Sequence, residues 1–456
     1  MTRVLIPTGA LGLGFDKQAL AAGIAAQPDI IAIDGGSTDS GPFYLGTGTS
    51  KYSRNSTKTE WGELMLARHK AGVPLVIGSA GTCGADSCVD WMFDITSELA
   101  AELGQSVKVA CLYSNQSAQR VRQALETGKL NPLEPAPSLE GGQLEEMSNI
   151  VALAGAEQIQ AALATGADIV IAGRTTDTAL MAAMPLAKGN HAGGAWHGAK
   201  VGECGAFCTT DPRSGTIMVE FDGEGFTVRP MAQTATCTAH TVSAHMLYEN
   251  SNPFILFEPG GHLDVTDSKY HEIGDGRVRV TGSKWVPGAD YTVKLEGSRI
   301  AGYQTVSISV LRDQRYVEHV EDWIAGIESS VRARIDDSGI AAAKDYKIEF
   351  RVIGQNSALG ELETQVPIAS EVGVMAISTA RTQELANDIA KIINPYLLHH
   401  PLTAHEETPT FAFPFSPAEI PRGPLYEFSL NHVMSLDDPM DAFRLEVREL
   451  DNGHTR

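Results

Sequence analysis

Asp34 ends an apolar, β-branched run, and Asp39 follows it across two glycines and two hydroxyls, in the stretch 30–42, IIAIDGGSTDSGP. Two carboxylates on one tight loop can share a proton, hold a divalent cation or orient a substrate hydroxyl. The plainer reading is a turn in which Asp34, Ser37, Thr38 and Asp39 bond their own backbone.

The same grammar recurs along the chain. In GSAGTCGADSCVDW, Gly78, Ser79, Gly81 and Asp86 follow an apolar run and precede a helical one. The N–H groups of such a turn suit a carboxylate or phosphate oxygen. Cys83 reads either as a thiolate at a helix N-terminus or as a small packing residue. In GRTTD, Arg174 precedes a helix opening near Asp177. That arrangement suits a bidentate carboxylate clamp, and its alternative is a surface ion pair.

Glu203 and Cys204 are adjacent, in a segment that also holds His191 and His197. The pair suits acid–base work, or a metal shared with a histidine. If the segment is a strand, the two side chains point to opposite faces and Glu203 is the one expected to act. Lys294 and Glu296 share one face of an alternating run. Facing solvent, they are a weak pair; against a cleft, Lys294 becomes an anion anchor or a base. The run His399, His400, His405, Glu406, Glu407 trails a helix into a loop and reads as solvated surface.

The elements that must position these residues fall into two halves. Apolar strands are predicted at 4–6, 30–33, 74–77, 107–112, 150–153 and 168–172, with helices at 58–71, 87–103, 157–165 and 178–184. Strands alternating with helices imply crossover units, hence an α/β fold with a mainly parallel sheet, and ligands of such sheets collect at the strands' carboxyl ends. The linker 128–142 is long and rich in Pro and Gly, and reads as an ordered loop or flap. The second half alternates with period two at 216–221, 226–230, 277–281, 291–295 and 304–311. A helix at 316–335, strands at 346–353 and 371–378, and a helix at 381–394 ending at Pro395 follow. That order predicts an α+β domain with an antiparallel sheet. The expected domains are 1–215 and 216–456, the second closing over the first to bring Lys294 to the cleft.

Composition narrows the function. A net charge of −21 argues against nucleic acid or an anionic membrane as partner. No run of apolar residues approaches a membrane span, and no apolar signal core follows the N-terminus, so a cytoplasmic protein is expected. The six cysteines form no CxxC pair and are expected reduced and unligated. Neither GxGxxG nor GxxxxGK[ST], GxSxG nor HExxH occurs.

Several long segments carry a resemblance: VLIPTGALGLGF, IDGGSTDSGPFYLG, PLVIGSAGTCGAD, DIVIAGRTTDTALMAAMP, GECGA, TVSAHMLYENSNPF, GGHLDVTDSKY, RVRVTGSKW, YTVKLEGSRIAGYQTVSI and FAFPFSPAEIPRGPLYEF. Through them the chain resembles the acyclic terpene utilisation (AtuA-type) family of bacterial catabolic proteins. The resemblance implies an N-terminal α/β domain, a C-terminal α+β portion, and a role in degrading branched or terpenoid carboxylic acids. It implies no mechanism. After GECGA the sequence departs from the family pattern, which bears on Cys208.

Read together, the residues suit a carbon–oxygen lyase, a hydratase acting on a small or branched carboxylic acid or its CoA thioester. Arg174 and the turn 78–81 would hold a carboxylate, Asp34 or Asp39 would move the proton at carbon, and Glu203 would serve the hydroxyl, with Lys294 as a further catalytic group. Asp34 and Asp39 can hold a divalent cation, although no ligand spacing supports one. A homo-oligomer is expected, with room for a separate small subunit. The alternative is a non-catalytic binding or scaffold subunit of a catabolic complex.

Overall fold

The computed structural model describes residues 1–139, 142–365, 369–452 and 454–455. Two compact units divide the chain: residues 1–299 with 428–456, and residues 300–427. The boundary expected near 215 falls inside the first unit. Within the expected loop 128–142, Glu140 and Gly141 lie outside the described residues.

The first unit is built on an eleven-stranded sheet. Its centre is five parallel strands, β1 (Thr2–Ile6), β2 (Ile30–Asp34), β3 (Leu75–Gly78), β4 (Val107–Tyr113) and β5 (Ile169–Ala172), in the spatial order β1-β2-β3-β5-β4. The β-branched runs sit here because both faces are covered: Ile30, Ile31, Ala32 and Ile33 are all fully buried. An antiparallel extension continues from β1 through β6 (Ile217–Phe221), β7 (Gly225–Pro230), β9 (Val278–Thr281) and β8 (Lys269–Glu272). On the far side, β10 (Arg444–Asp451) pairs antiparallel with β4. The strands expected at 216–221, 226–230 and 277–281, assigned from their period to a second domain, therefore belong to the same sheet as β1.

The crossover helices appear where the apolar spacing places them: α1 (Arg54–Ala71), α2 (Asp86–Leu103), α3 (Ala156–Ala164) and α4 (Asp177–Ala187). Pro185 lies inside α4 instead of ending it, in a helix buried along most of its length. The predicted strand at 150–153 forms as Met147–Ala152, outside the parallel sheet, pairing antiparallel with residues 295–299 of the long strand Tyr291–Leu311.

In the second unit, residues 303–311 of that long strand pair antiparallel with Val372–Ala380, which pairs in turn with Tyr346–Ile353. The helices Val320–Ser338 and Gln383–His399 contribute Trp323, Ile327, Val331, Ile389 and Ile393 to the core. The last helix runs through Pro395 to His399. Among the described residues, no helix is long and apolar enough to cross a membrane.

Candidate functional site

The loops at the carboxyl ends of β1, β2, β3 and β5 are drawn together by backbone contacts. Leu11 N donates to Asp34 O at 2.8 Å and Gly35 N to Gly78 O at 2.8 Å. A Cβ on Gly35 would lie 2.4 Å from Ser79 O, and one on Gly84 would lie 2.2 Å from Arg174 N, so both positions require glycine for the loops to meet. Above them lies a cavity of ≈ 320 Å³. Asp34, Ser37, Asp39, Thr82, Asp177, Glu203, Cys204, Tyr248 and Glu249 are part of its wall, with Lys51 as its cationic side chain.

Asp34 is 3% exposed. Its Oδ2 accepts from Gly36 N at 2.8 Å, while Oδ1 has no partner among the described residues. Burial, reinforced by the neighbouring Asp177 charge, pushes its carboxyl well above the usual range, against the pull of Arg174. Asp177, the first residue of α4, is pushed up to about 6, also by burial, with Arg174 and Lys200 opposing. Ser37 caps the 3₁₀ turn Thr38–Ser40 through Asp39 N (3.3 Å), which orients Asp39 at the cavity rim.

Glu203 caps the C-terminus of α5 (Ala192–Gly202), and Cys204 begins the turn that follows. The segment is a helix end and not a strand, so both side chains reach the same cavity. Lys200, one helical turn earlier, donates to Glu203 Oε1, and both are buried. Burial raises the Glu203 carboxyl and the Cys204 thiol above their ordinary values. His245 follows the short helix α6 (Ala239–Ala244); it is 5% exposed, and its ring stacks on Tyr248 at 5.6 Å.

Other expected site residues do not face this cavity. Arg174 is buried behind its wall: Nε donates to Glu296 Oε2 (3.1 Å), Nη1 to Ser79 Oγ (3.0 Å) and Nη2 to Thr38 Oγ1 (3.4 Å). The turn 78–81 is closed on itself and its neighbours, since Ser79 N donates to Gly173 O (2.8 Å) and Ala80 N to Ala172 O (3.1 Å). Gly78 abuts Thr175 and Leu180, and Gly81 abuts Cys88. The anion clamp expected from Arg174 and this turn is therefore satisfied within the protein. Asp86 accepts from Ser114 N and Asn115 N, both at 3.0 Å, and braces the loop after β4. Lys294 donates to Glu296 Oε1 at 3.0 Å and lines a separate cavity of ≈ 390 Å³ with Thr38, Asp39 and Glu296.

The remaining candidates have structural partners. Cys83 is fully buried with its Sγ 3.6 Å from that of Cys88. His191 caps α5 by accepting from Gly194 N (3.0 Å), and His197 is buried between Ser283 and Tyr270. In the second unit, Glu406 pairs with Arg315 and Tyr316.

The sequence profile of the acyclic terpene utilisation family protein AtuA matches residues 52–422. The chain belongs to the acyclic terpene utilisation family. That membership places it with terpene catabolism. Comparison with functionally curated proteins and with solved structures returns no match. The match includes Asp177, Glu203, Cys204, His245 and Glu249, while Asp34, Ser37 and Asp39 precede it.

Lys200, His245, Tyr248 and Glu249 were not singled out from the sequence. Lys200 carries a readable signal, a cation three residues before a carboxylate on one helical face. The other three lie in TVSAHMLYENSNPF, where no spacing ties them to Glu203.

Proposed function

We propose that the chain is a carbon–oxygen lyase of terpene catabolism, a hydratase that adds or removes water beside the carbonyl of a small or branched acyl group. The observation that carries this reading is the carboxyl of Asp34 in the cavity wall, buried and with one oxygen unpartnered among the described residues, beside a second buried carboxyl, Asp177. Two neighbouring carboxyls can serve in turn as acid and base. Asp34, whose carboxyl burial raises well above the usual range, donates its proton to the departing hydroxyl, while ionised Asp177 takes the proton from carbon. Their roles exchange in the hydration direction.

Charge selects the form of the substrate. Asp39, Asp177 and Glu249 line the cavity beside the protonated Asp34, Lys51 is the one lining cation among the described residues, and Arg174 is held by Glu296. A free carboxylate meets like charges there, so a thioester, whose acyl end is neutral, is favoured over the free acid. The alternative of a non-catalytic subunit does not account for a buried carboxyl oxygen in a cavity wall that has no partner among the described residues.

The test is proton exchange in deuterated water. Purified protein is incubated with branched saturated, unsaturated and hydroxylated acyl thioesters and the matching free acids, with and without added divalent cation. Deuterium entering the carbon beside the thioester carbonyl is expected, lost by about a hundredfold or more in Asp177→Asn, and interconversion of hydroxylated and unsaturated thioesters is expected to fall as far in Asp34→Asn. Absence of both exchange and turnover across the whole panel overturns the reading.

A further inference from the structure

The strongest feature that proton transfer by Asp34 and Asp177 leaves unused is the meeting of Glu203, Cys204 and His245. One ligand atom from each lies within 4.8 Å of the other two, and among the described residues this is the group of three His, Cys, Asp or Glu side chains so gathered. We propose that these three side chains form a binding site for a borderline divalent transition ion of the Zn²⁺ type.

Four observations support the site. First, His245 is buried, and its Nε2 has no hydrogen-bond partner among the described residues. Buried imidazole nitrogens are ordinarily satisfied, and an orphan one on a ring gathered with a carboxylate and a thiol is free to hold a metal. Second, the donor set is one oxygen, one sulfur and one nitrogen. Ca²⁺ and Mg²⁺ prefer oxygen alone, whereas Zn²⁺ takes this mixture. Third, Glu203 and Cys204 both line the cavity, so three protein ligands leave a coordination position facing it, as in catalytic rather than structural zinc sites. Fourth, the carboxylates of Asp39, Asp177 and Glu249 concentrate negative potential in the same cavity, which draws in cations.

Lys200 is the charge that opposes an ion here, and its place is consistent with one. It donates to Glu203 Oε1, and among the described residues no hydrogen bond to Oε2 is made. A ligating carboxylate held by a hydrogen bond to its other oxygen is the usual outer support of a metal site. As the Sγ–metal bond forms, the Cys204 thiol releases its proton to solvent. A dication is then balanced by one thiolate and one carboxylate, leaving Lys200 beside Asp177. The absence of a CxxC pair hid this site, because its third ligand comes from the turn after α6.

The test is a Co²⁺ titration of the full chain after chelator treatment. One equivalent of Co²⁺ is expected to produce thiolate-to-metal charge-transfer absorption, displaced by Zn²⁺. Cys204→Ser is expected to lose that absorption, His245→Gln to weaken binding at least tenfold, and Cys111→Ser, in the buried strand β4, to change neither. Should Cys204→Ser fail to fold, His245→Gln against the wild-type titration decides the matter. Failure of the wild type to bind stoichiometrically, absorption that survives Cys204→Ser, or unaltered affinity in His245→Gln overturns the proposal. None of these readings depends on hydratase turnover.

Discussion

Arg174 and Glu296 form a buried ion pair at 3.1 Å, each side chain 7% exposed, directly behind the wall that carries Asp34 and Asp177. Burial opposes both charges. The Glu296 carboxyl is nevertheless held down at about 2 by Arg174 and Lys294, and Arg174 is held above its ordinary value chiefly by Glu296. Removing one partner leaves the other charged without compensation. Glu296→Gln is expected to cost about 3–5 kcal/mol in unfolding free energy. Because the folded pKa lies below the ordinary 4.5, the stabilisation is present above pH 4.5 and is lost as pH falls towards about 2. Equal acid unfolding of wild type and variant would show that the pair contributes nothing.

Lys294 stands outside this buried pair, its side chain 39% exposed and engaged with the second oxygen of Glu296. Its removal leaves Arg174 and Glu296 paired. Lys294→Met is therefore expected to change deuterium exchange by less than about fivefold, the factor that 1 kcal/mol represents. A loss comparable to that of Asp177→Asn would restore Lys294 to the chemistry itself.

The parallel core was legible because each strand is an apolar run that gives way to Pro, Asp, Gly or Ser, and Asp34 marks such an end. The antiparallel extension was misplaced because period-two alternation tells a strand's exposure and not which sheet it joins; β6 pairs β1 over five residues, Thr2 to Ile6. Arg174 read as a clamp because nothing in GRTTD announces that Glu296, over a hundred residues away, would take its guanidinium. Glu203 and Cys204 were separated in expectation by strand geometry, and a helix end reunites them. Pro185 and Pro395 did not stop their helices, since tertiary packing outweighs a lost hydrogen bond near a helix's last turn.

Asp177 gives the proposed reaction its pH dependence. With a pKa of about 6 and a role as base in the elimination direction, it must be ionised, so exchange at carbon should fall as pH drops below about 6. In Asp177→Asn the rate should be low at every pH and the limb near 6 absent. A variant that keeps both its rate and that limb would remove Asp177 from the mechanism.

Glu258 tests burial without chemistry. It lies at the end of the strand Ile255–Glu258, accepts a hydrogen bond from Thr178 on α4 and is absent from the cavity wall. Burial pushes its carboxyl up to about 7, against hydrogen bonds from Thr178 and Thr176 that lower it. Its ordinary value is 4.5, so between pH 4.5 and 7 the folded chain holds a proton that the unfolded chain has lost. The stabilisation is complete below 4.5 and disappears as pH rises through 7, amounting to about 3 kcal/mol across that window. Glu258→Gln, neutral at all pH values and of the same shape, should flatten this part of the stability profile and melt higher than the wild type at pH 8. At pH 4.5, where the wild-type carboxyl is largely protonated in the fold, the two should melt together. A variant less stable than the wild type at pH 8 would mean that the ionised carboxylate is the favoured state, and that the Thr178 contact outweighs desolvation.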